Sequence, residues 1–389
     1  MSQAHTPQTP EMTGIVWTDL QRATQFNVWL AQVATDQLLN TGTLRMASAD
    51  ASFRRYFRID SGRGSRIIMD APPQQENCRP FVEVARLMAD AGLCAPVVLA
   101  WDEPLGFMLM TDLGGQTMMQ VIDQDHAQAN LPLYLQAVDA LIAWQRSSRP
   151  DVLPPYSEAL LRRELELFPE WYLGRHKGLT VAGDMRITLD QAFHKIIATN
   201  LAQPSVYVHR DFMPRNLMAP RPVAACVASP PEVAAATWCS PATGLGAQQT
   251  AVSALGVLDF QDAVYGPITY DIASLMRDAF LSWEEDFCLD VTVRYWEKAR
   301  KVGLPVGDDF GEFYRNVEWM GLQRHLKVAG IFARLTLRDG KPQYLADSPR
   351  FIGYIRNTCA RYGELKPLLR LVDKVEGIVE PAVFGFGRP

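Results

Sequence analysis

The sequence predicts an α+β fold with two lobes, a small antiparallel β lobe followed by a larger, mainly helical lobe. Residues 43–112 show a strand, strand, helix, strand, strand pattern, whereas most of the chain after residue 115 has apolar residues at helical spacing. The chain has 389 residues, too many for one small core, so two domains are expected.

The first predicted element is a helix that ends near residue 39. Thr18 and Gln21 form a capping-box pattern at its start. Apolar residues then recur at helical spacing, namely Phe26, Trp29, Leu30 and Val33. Residues 1–14 are polar and have no such pattern, so we expect a disordered tail there.

The β lobe is predicted to follow as four strands and one helix. In "SADASFRRYFRID" a polar turn leads into the first, aromatic strand, and a second turn, "SGRG", separates it from the second strand, "SRIIMDAPP". The helix "RPFVEVARLMADAG" ends at Gly92, and the strands "APVVLAW" and "GFMLMTD" come after it. Residues 113–115, "LGG", are expected to be a flexible joint. We therefore place the N-terminal lobe at 15–113 and the C-terminal lobe at 114–389.

The second lobe is predicted to consist mostly of helices. They lie at about residues 130–148, 157–174, 186–201, 269–280, 284–302, 309–337 and 349–371. Only the segments near residues 206 and 256 look extended. Residues 219–254 are rich in Ala, Pro, Ser and Thr without a period, which predicts a disordered insertion. A sheet-rich small lobe joined to a helical large lobe is the protein-kinase-like architecture.

Composition limits the possible functions. Hydrophobic residues make up 48% and charged residues 21%, which is typical of globular proteins. The net charge of −5 argues against a nucleic-acid-binding protein. No apolar leader or bilayer-length apolar run occurs, so we expect neither a signal peptide nor a membrane partner. The six cysteines lack a C-x-x-C pair and zinc-ligand spacing, so we expect free thiols in a reducing cytoplasm.

The clearest functional motif is "VYVHRDFMPRNLM", residues 206–218. It places His209, Asp211 and Asn216 in the spacing H-x-D-x-x-x-x-N, directly after a β-branched run. Phosphoryl transfer needs a carboxylate that orients the acceptor hydroxyl and accepts its proton, a role that suits Asp211. It also needs oxygen ligands for Mg²⁺, such as the amide of Asn216. The alternative is a polar turn that ends a strand.

A second acid is expected on the next strand. The segment "GVLDFQDAVYGP" supplies Asp259, in the place of the Asp-Phe-Gly triplet of protein kinases. Without the insertion, the chain between the two motifs is a short hairpin. Asn216 and Asp259 would then lie on adjacent strand ends and share a metal ion. We expect Asp262 and Asp271 to be structural supports, Asp271 through His209 or loop N–H groups; a metal role for Asp262 and an N-cap role for Asp271 are the alternatives.

These motifs resemble those of the aminoglycoside phosphotransferase and choline kinase-like superfamily, over about residues 20–370. The segments "SADASFRRYFRI", "MDAPP", "CRPFVEVARLM", "TDLGG" and "LQRHLKVAGIFARL" are similar to one branch, the bacterial kinases that phosphorylate N-acetylmuramate and N-acetylglucosamine at the anomeric carbon. The resemblance implies an enzyme that uses ATP and Mg²⁺, an N-terminal nucleotide-binding lobe and a role in peptidoglycan recycling.

One departure from the kinase pattern concerns the phosphate-binding lysine. Met69 and Asp70 stand where that lysine is expected, and an acid cannot hold phosphate directly. We expect the missing positive charge and backbone N–H contacts to come from the neighbouring strand and the loop before it, with the candidates Arg54, Arg55, Arg58 and Ser52. The alternative for the arginines is an exposed strand face.

The helix "QRHLKVAGIFARL" suggests the acceptor. It carries Arg324, His325 and Lys327, and this basic face suits an acceptor with a carboxylate, such as the lactyl group of N-acetylmuramate. The alternative is a solvated basic helix face. Aminoglycosides are polycations and need acidic pockets, and choline needs aromatic side chains around its ammonium group.

We therefore expect an ATP-dependent kinase for the anomeric hydroxyl of an N-acetylated amino sugar, acting by direct in-line transfer. We also expect a cytoplasmic monomer without nucleic-acid partners. Two alternatives stay open: another small-molecule kinase of the same fold, for an aminoglycoside, an amino alcohol or a different sugar, and a non-catalytic kinase-like binding protein.

Overall fold

The computed structural model describes residues 15–49, 53–220 and 254–379. The predicted tail at 1–14, Ser52 and residues 221–253 of the predicted insertion lie outside the described residues. The predictions made for them therefore stay predictions.

The chain divides into two compact units. The first comprises Met1–Thr117 and Leu217–Gln261, and the second comprises Met118–Asn216 and Asp262–Pro389. The lobe boundaries predicted from the sequence remain a proposal.

The first unit contains a five-stranded antiparallel sheet in the order β1-β2-β3-β5-β4. Its strands are β1 Leu39–Ala49, β2 Arg55–Ser61, β3 Arg66–Asp70, β4 Val98–Asp102 and β5 Phe107–Thr111. Its helices are α1 Leu20–Ala34 and α2 Arg79–Asp90. The predicted count of four strands was wrong, because β1 is an edge strand in which only Leu44 of residues 39–47 is buried. Such a strand shows no alternation of apolar residues.

Helix α1 covers one face of this sheet. The Phe26 ring lies 5.3 Å from that of Phe57 and 5.4 Å from that of Phe107. The predicted Thr18 capping box was wrong: Asp19 is the N-cap, and its side chain accepts from the N–H groups of the next turn. The helix ends at Ala34, before the predicted residue 39, because a turn follows it and β1 begins at Leu39.

The second unit is mostly helical. Five of the predicted helices agree with the structure within a few residues, but the predicted helix 349–371 was wrong, because the chain forms two helices there, and the predicted helix 157–174 is an α-helix followed by a π-helix. The α-helices are α3 Met118–Val121, α4 Leu131–Arg146, α5 Glu158–Leu165, α6 Gly183–Leu201, α7 Tyr270–Met276, α8 Glu285–Lys301, α9 Phe310–Leu337, α10 Ser348–Arg361 and α11 Lys366–Glu376. A π-helix, Phe168–His176, follows α5. Within the described ranges, no helix has the length and apolar character needed to cross a membrane.

Four short strands carry the two motifs. In the second unit, β6 Ser205–Val208 pairs antiparallel with β9 Val264–Pro267. In the first unit, β7 Leu217–Met218 pairs antiparallel with β8 Gly256–Val257. Strands β7 and β8 therefore close the hairpin that the sequence predicts around the insertion.

Candidate active site

The proposed catalytic loop, residues 209–216, begins where β6 of the second unit ends. His209, which follows the buried strand residues, is 0% exposed, and the chain then turns at Arg210 with φ = +78°. A left-handed conformation is uncommon for a residue other than Gly and persists only where the surroundings hold it. The turn lets the chain leave the buried strand and present Asp211 at a partly exposed position.

Asp271 supplies much of that hold. It is fully buried in the first turn of α7, and its Oδ2 and Oδ1 atoms accept the backbone N–H groups of His209 at 2.7 Å and Arg210 at 3.0 Å. Burial raises the pKa of Asp271 to about 7, although the two N–H donors and Arg324 act against this. Thr269 occupies the N-cap position of α7, so the alternative of Asp271 as N-cap was wrong.

The loop is also closed on itself. Asn216 donates its Nδ2 to the carbonyl oxygen of Asp211 at 2.9 Å, and the Asp211 N–H lies 3.3 Å from Nδ1 of His209. These contacts orient the Asn216 amide and fix the backbone on both sides of the Asp211 carboxylate. His209, Asp211 and Asn216 are thus brought into one small turn.

Asp259 lies in the first unit, two residues after the end of β8. Its φ of +64° is again left-handed, and its Oδ1 accepts from Nε2 of Gln261 at 2.9 Å. Phe260 is buried and its ring lies 4.9 Å from that of Phe81 on α2, which anchors the segment. Asn216 and Asp259 both offer the oxygen donors that Mg²⁺ prefers, so the donor chemistry fits this ion.

Asp70, the acid in place of the expected lysine, is buried and forms ion pairs with two arginines. Its Oδ1 accepts from Arg22 of α1 at 2.6 Å, and its Oδ2 pairs with Arg55 of β2. Its side chain is only 1% exposed. Two arginines therefore neutralise the carboxylate and tie α1 to the sheet.

The other two predicted phosphate-binding arginines also have carboxylate partners. Arg54 lies 3.0 Å from Glu76, and Arg58 lies 2.7 Å from Asp112. Arg58 also donates to the carbonyl oxygen of Gly114 at 2.7 Å. The alternative of a purely exposed strand face was wrong, because each guanidinium is engaged and partly buried. Phosphate binding by these residues stays a prediction.

The basic residues of α9 are not a solvated face. Arg324 and His325 are 3% and 1% exposed, and the Lys327 ammonium lies 2.9 Å from Glu164. Burial lowers the pKa of His325 well below its usual value, with Arg277 and Arg324 acting the same way, so the ring is neutral. The Arg324 guanidinium lies 5.2 Å from the Tyr270 ring centroid and has no hydrogen bond or ion pair within the described part of the chain.

Sequence reasoning missed Glu164. This α5 residue is 5% exposed and pairs through Oε1 with Arg210 at 2.5 Å and with Lys327 at 2.9 Å. The available signal was its position on the apolar face of α5, three residues after Leu161 and beside Leu165, both buried. Asp262, predicted as a support, is exposed and reaches Arg210 through its backbone carbonyl at 3.4 Å.

The model of the phosphotransferase enzyme family, APH, matches residues 43–227 and 251–308. The chain therefore belongs to this family, and it is an enzyme. Curated relatives from Pseudomonas putida and Neisseria meningitidis, both N-acetylmuramate/N-acetylglucosamine kinases, are 44% and 42% identical over 362 and 360 residues. The alignments cover 91% and 92% of this chain and 97% of each relative.

Solved structures share the fold at low identity. An ethanolamine kinase of Plasmodium vivax has a TM-score of 0.56 at 9% identity, with 93% of both chains covered. The ADP-bound aminoglycoside phosphotransferase APH(2'')-Ib has a TM-score of 0.51 at 14% identity, with 83% of this chain and 96% of that chain covered. The predicted α+β, protein-kinase-like fold is confirmed.

Proposed function

We propose that this protein is an ATP-dependent kinase that phosphorylates the anomeric hydroxyl of N-acetylmuramate, N-acetylglucosamine or both, in peptidoglycan recycling. The observation that carries the proposal is the His209–Asn216 loop, whose backbone is held by the buried Asp271. The curated relatives from Pseudomonas putida and Neisseria meningitidis support the choice of sugar, because they align over more than nine-tenths of the chain.

Asp211 is proposed to orient the anomeric hydroxyl and to accept its proton. Anomeric hydroxyls are more acidic than ordinary alcohols, so proton transfer can come late in a loose transition state. Asn216 and Asp259 are proposed to hold Mg²⁺, which would neutralise charge on the transferred phosphate. The phosphoryl group would pass directly to the sugar without a phosphoenzyme.

The ATP phosphates are proposed to contact the arginines and the loop of the first unit, namely Arg54, Arg55, Arg58 and Ser52. Arg55 is the strongest candidate among the three arginines. Its side chain is 31% exposed, and Asp70 would retain Arg22 if Arg55 turned to a phosphate. A buried carboxylate without a cationic partner would be costly, and Asp70 would avoid this cost because Arg22 would stay paired with it.

Arg324 is proposed to bind the lactyl carboxylate of N-acetylmuramate. Arg324 is buried and makes no direct ion pair among the described residues, because the carboxylates of Asp271 and Asp278 act on it only at longer range. A substrate carboxylate would supply the direct partner that a buried guanidinium needs. Lys327 is a weaker candidate because Glu164 holds its ammonium. His325 is neutral and would contribute a hydrogen bond at most. Their substrate roles, the cytoplasmic location and the monomeric state stay predictions.

The test is turnover by the full chain with labelled ATP, Mg²⁺ and a panel of acceptors. The panel contains N-acetylmuramate, N-acetylglucosamine, choline and kanamycin. We expect label transfer to one or both amino sugars and none to choline or kanamycin. Transfer to kanamycin or choline alone would identify another kinase of the same fold. Nucleotide binding without transfer to any acceptor would support a non-catalytic binding protein.

A further inference from the structure

Glu164 is a buried carboxylate at the meeting point of three elements of the second unit. Besides Arg210 and Lys327, it accepts from Nε2 of Gln323 at 3.0 Å and from the Tyr156 hydroxyl. The donors therefore come from the catalytic loop, from α9 and from the segment before α5. A single side chain links all of them.

The charges favour an ionised Glu164. Burial alone would raise its pKa, but Lys327 and Arg210 outweigh burial and lower it to about 2. One carboxylate thus faces two cations and two neutral donors. Because buried charges are retained only when paired and hydrogen-bonded, Arg210 and Lys327 both depend on Glu164 as their ion-pair partner.

Arg210 is the member that matters for catalysis. Its backbone is left-handed, and it lies between the buried His209 and Asp211, the proposed base. Asp271 holds its N–H, while Glu164 holds its guanidinium at Nη2. The backbone is thus fixed from one side and the side chain from the other. Loss of the second anchor would let the loop relax toward a more common conformation.

Glu164 also fixes helix α9 to the same loop. Gln323 and Lys327 lie one turn apart on α9, and Gly330 follows on the same face. A Cβ atom at Gly330 would overlap the carbonyl group of Leu167, so the glycine allows α9 to approach the end of α5 closely. Arg324, the proposed acceptor contact, is carried on this helix.

We propose that Glu164 is a positioning residue for phosphoryl transfer. By pairing with both Arg210 and Lys327, it fixes the position of the Asp211 carboxylate relative to helix α9, which carries the proposed acceptor contact. The choice of acceptor rests on the proposed function, but the anchoring of the loop does not. A misplaced base lowers the rate of the chemical step more than it weakens substrate binding.

The test compares Glu164→Gln with Glu166→Gln. Glu166 lies at the end of the same helix, is partly exposed and pairs with Arg186 at 2.6 Å. For Glu164→Gln we expect kcat to fall by about 30-fold or more and both KM values to change by less than about threefold. For Glu166→Gln we expect kcat within about twofold of the wild type. A wild-type kcat in folded Glu164→Gln would overturn the proposal.

Glu164→Gln leaves two buried cations without their carboxylate and is at risk of misfolding. The double variant Glu164→Gln with Lys327→Met removes one of these cations together with the acid. We expect it to fold and to have the same low kcat.

Hydrogen exchange separates the two proposals, because it needs no substrate. In the double variant we expect the backbone amides of residues 209–211 to exchange at least about tenfold faster than in the wild type. The exchange rates of the β6 amides should not change. Unchanged exchange at these amides would overturn the positioning role. Failure of the wild type to phosphorylate either sugar would count against the proposed function alone.

Discussion

The catalytic loop and the arginines of the β2 region both depend on buried carboxylates, but in different ways. Asp271 accepts the backbone N–H groups of His209 and Arg210, so its two bonds engage no side chain of the loop. Asp70 instead accepts hydrogen bonds from the side-chain guanidinium groups of Arg22 and Arg55. The first arrangement fixes a loop while leaving its chemistry available. The second ties up the groups that would bind a ligand, so a ligand must compete with it.

This difference predicts that Asp211 can be replaced without loss of the loop. Asp211→Asn removes the base but keeps the backbone bonds to Asp271 and Asn216. We expect kcat to fall by about 10³-fold, with an unchanged melting temperature, measured by initial rates and thermal unfolding. A variant that retains more than about a tenth of the wild-type kcat would remove Asp211 from its proposed role.

Replacement of the anchor should have a smaller effect on rate and a larger one on stability. Asp271→Asn offers one acceptor to two N–H donors and turns an amide donor toward one of them. We expect kcat to fall by about 100-fold and the free energy of unfolding to drop by about 2 kcal/mol. Urea unfolding and initial rates measure both. Asp290→Asn, which changes a partly exposed acid paired with Arg294, serves as the control and should leave both quantities unchanged.

The Glu164 cluster predicts a pH dependence of stability. The folded-state pKa of Glu164, about 2, lies below the usual value of 4.5. Its stabilisation is therefore present above pH 4.5 and is lost as the pH falls toward 2. We expect about 2 kcal/mol of this contribution to be lost between pH 7 and pH 3. Urea unfolding of the wild type and of the Glu164→Gln, Lys327→Met double variant at both pH values measures it. An equal loss in both proteins would contradict the assignment to Glu164.

Arg324 is a third case, because it is buried but makes no direct ion pair with a carboxylate within the described residues. Arg324→Met should raise KM for N-acetylmuramate about tenfold, since a charged contact is lost. KM for N-acetylglucosamine, which lacks the lactyl carboxylate, should change little. Equal increases for both sugars, measured in parallel kinetic assays, would show that Arg324 does not read the carboxylate.

The smallest expected effect concerns Arg55. Arg55→Met leaves Asp70 paired with Arg22, and we expect KM for ATP to rise about fivefold with kcat unchanged. Arg45→Met is the matched control, because Arg45 pairs with Asp60 at 3.0 Å on the exposed edge of the same sheet. An unchanged KM for ATP in Arg55→Met would show that Arg55 does not bind ATP and serves only as an ion-pair partner of Asp70.

Fixed spacing made part of the molecule predictable from sequence. The helices of the second unit and the H-x-D-x-x-x-x-N loop follow from short-range patterns. The β7–β8 hairpin became predictable once the Ala- and Pro-rich segment was set aside. Strand β1 lacked a pattern because only Leu44 of its residues 39–47 is buried. The ion-pair partners of Glu164 and Asp70 could not be predicted from the sequence, because ion pairs between distant segments depend on packing that no local pattern encodes.

The position of the phosphate on the product tests the central claim most directly. The wild-type protein would be incubated with N-acetylmuramate, N-acetylglucosamine, ATP and Mg²⁺, and each product examined by ³¹P NMR. The account predicts a phosphate coupled to the anomeric proton of at least one sugar, and no such signal with Asp211→Asn. A phosphate on any other hydroxyl, or no phosphorylated sugar at all, would contradict it.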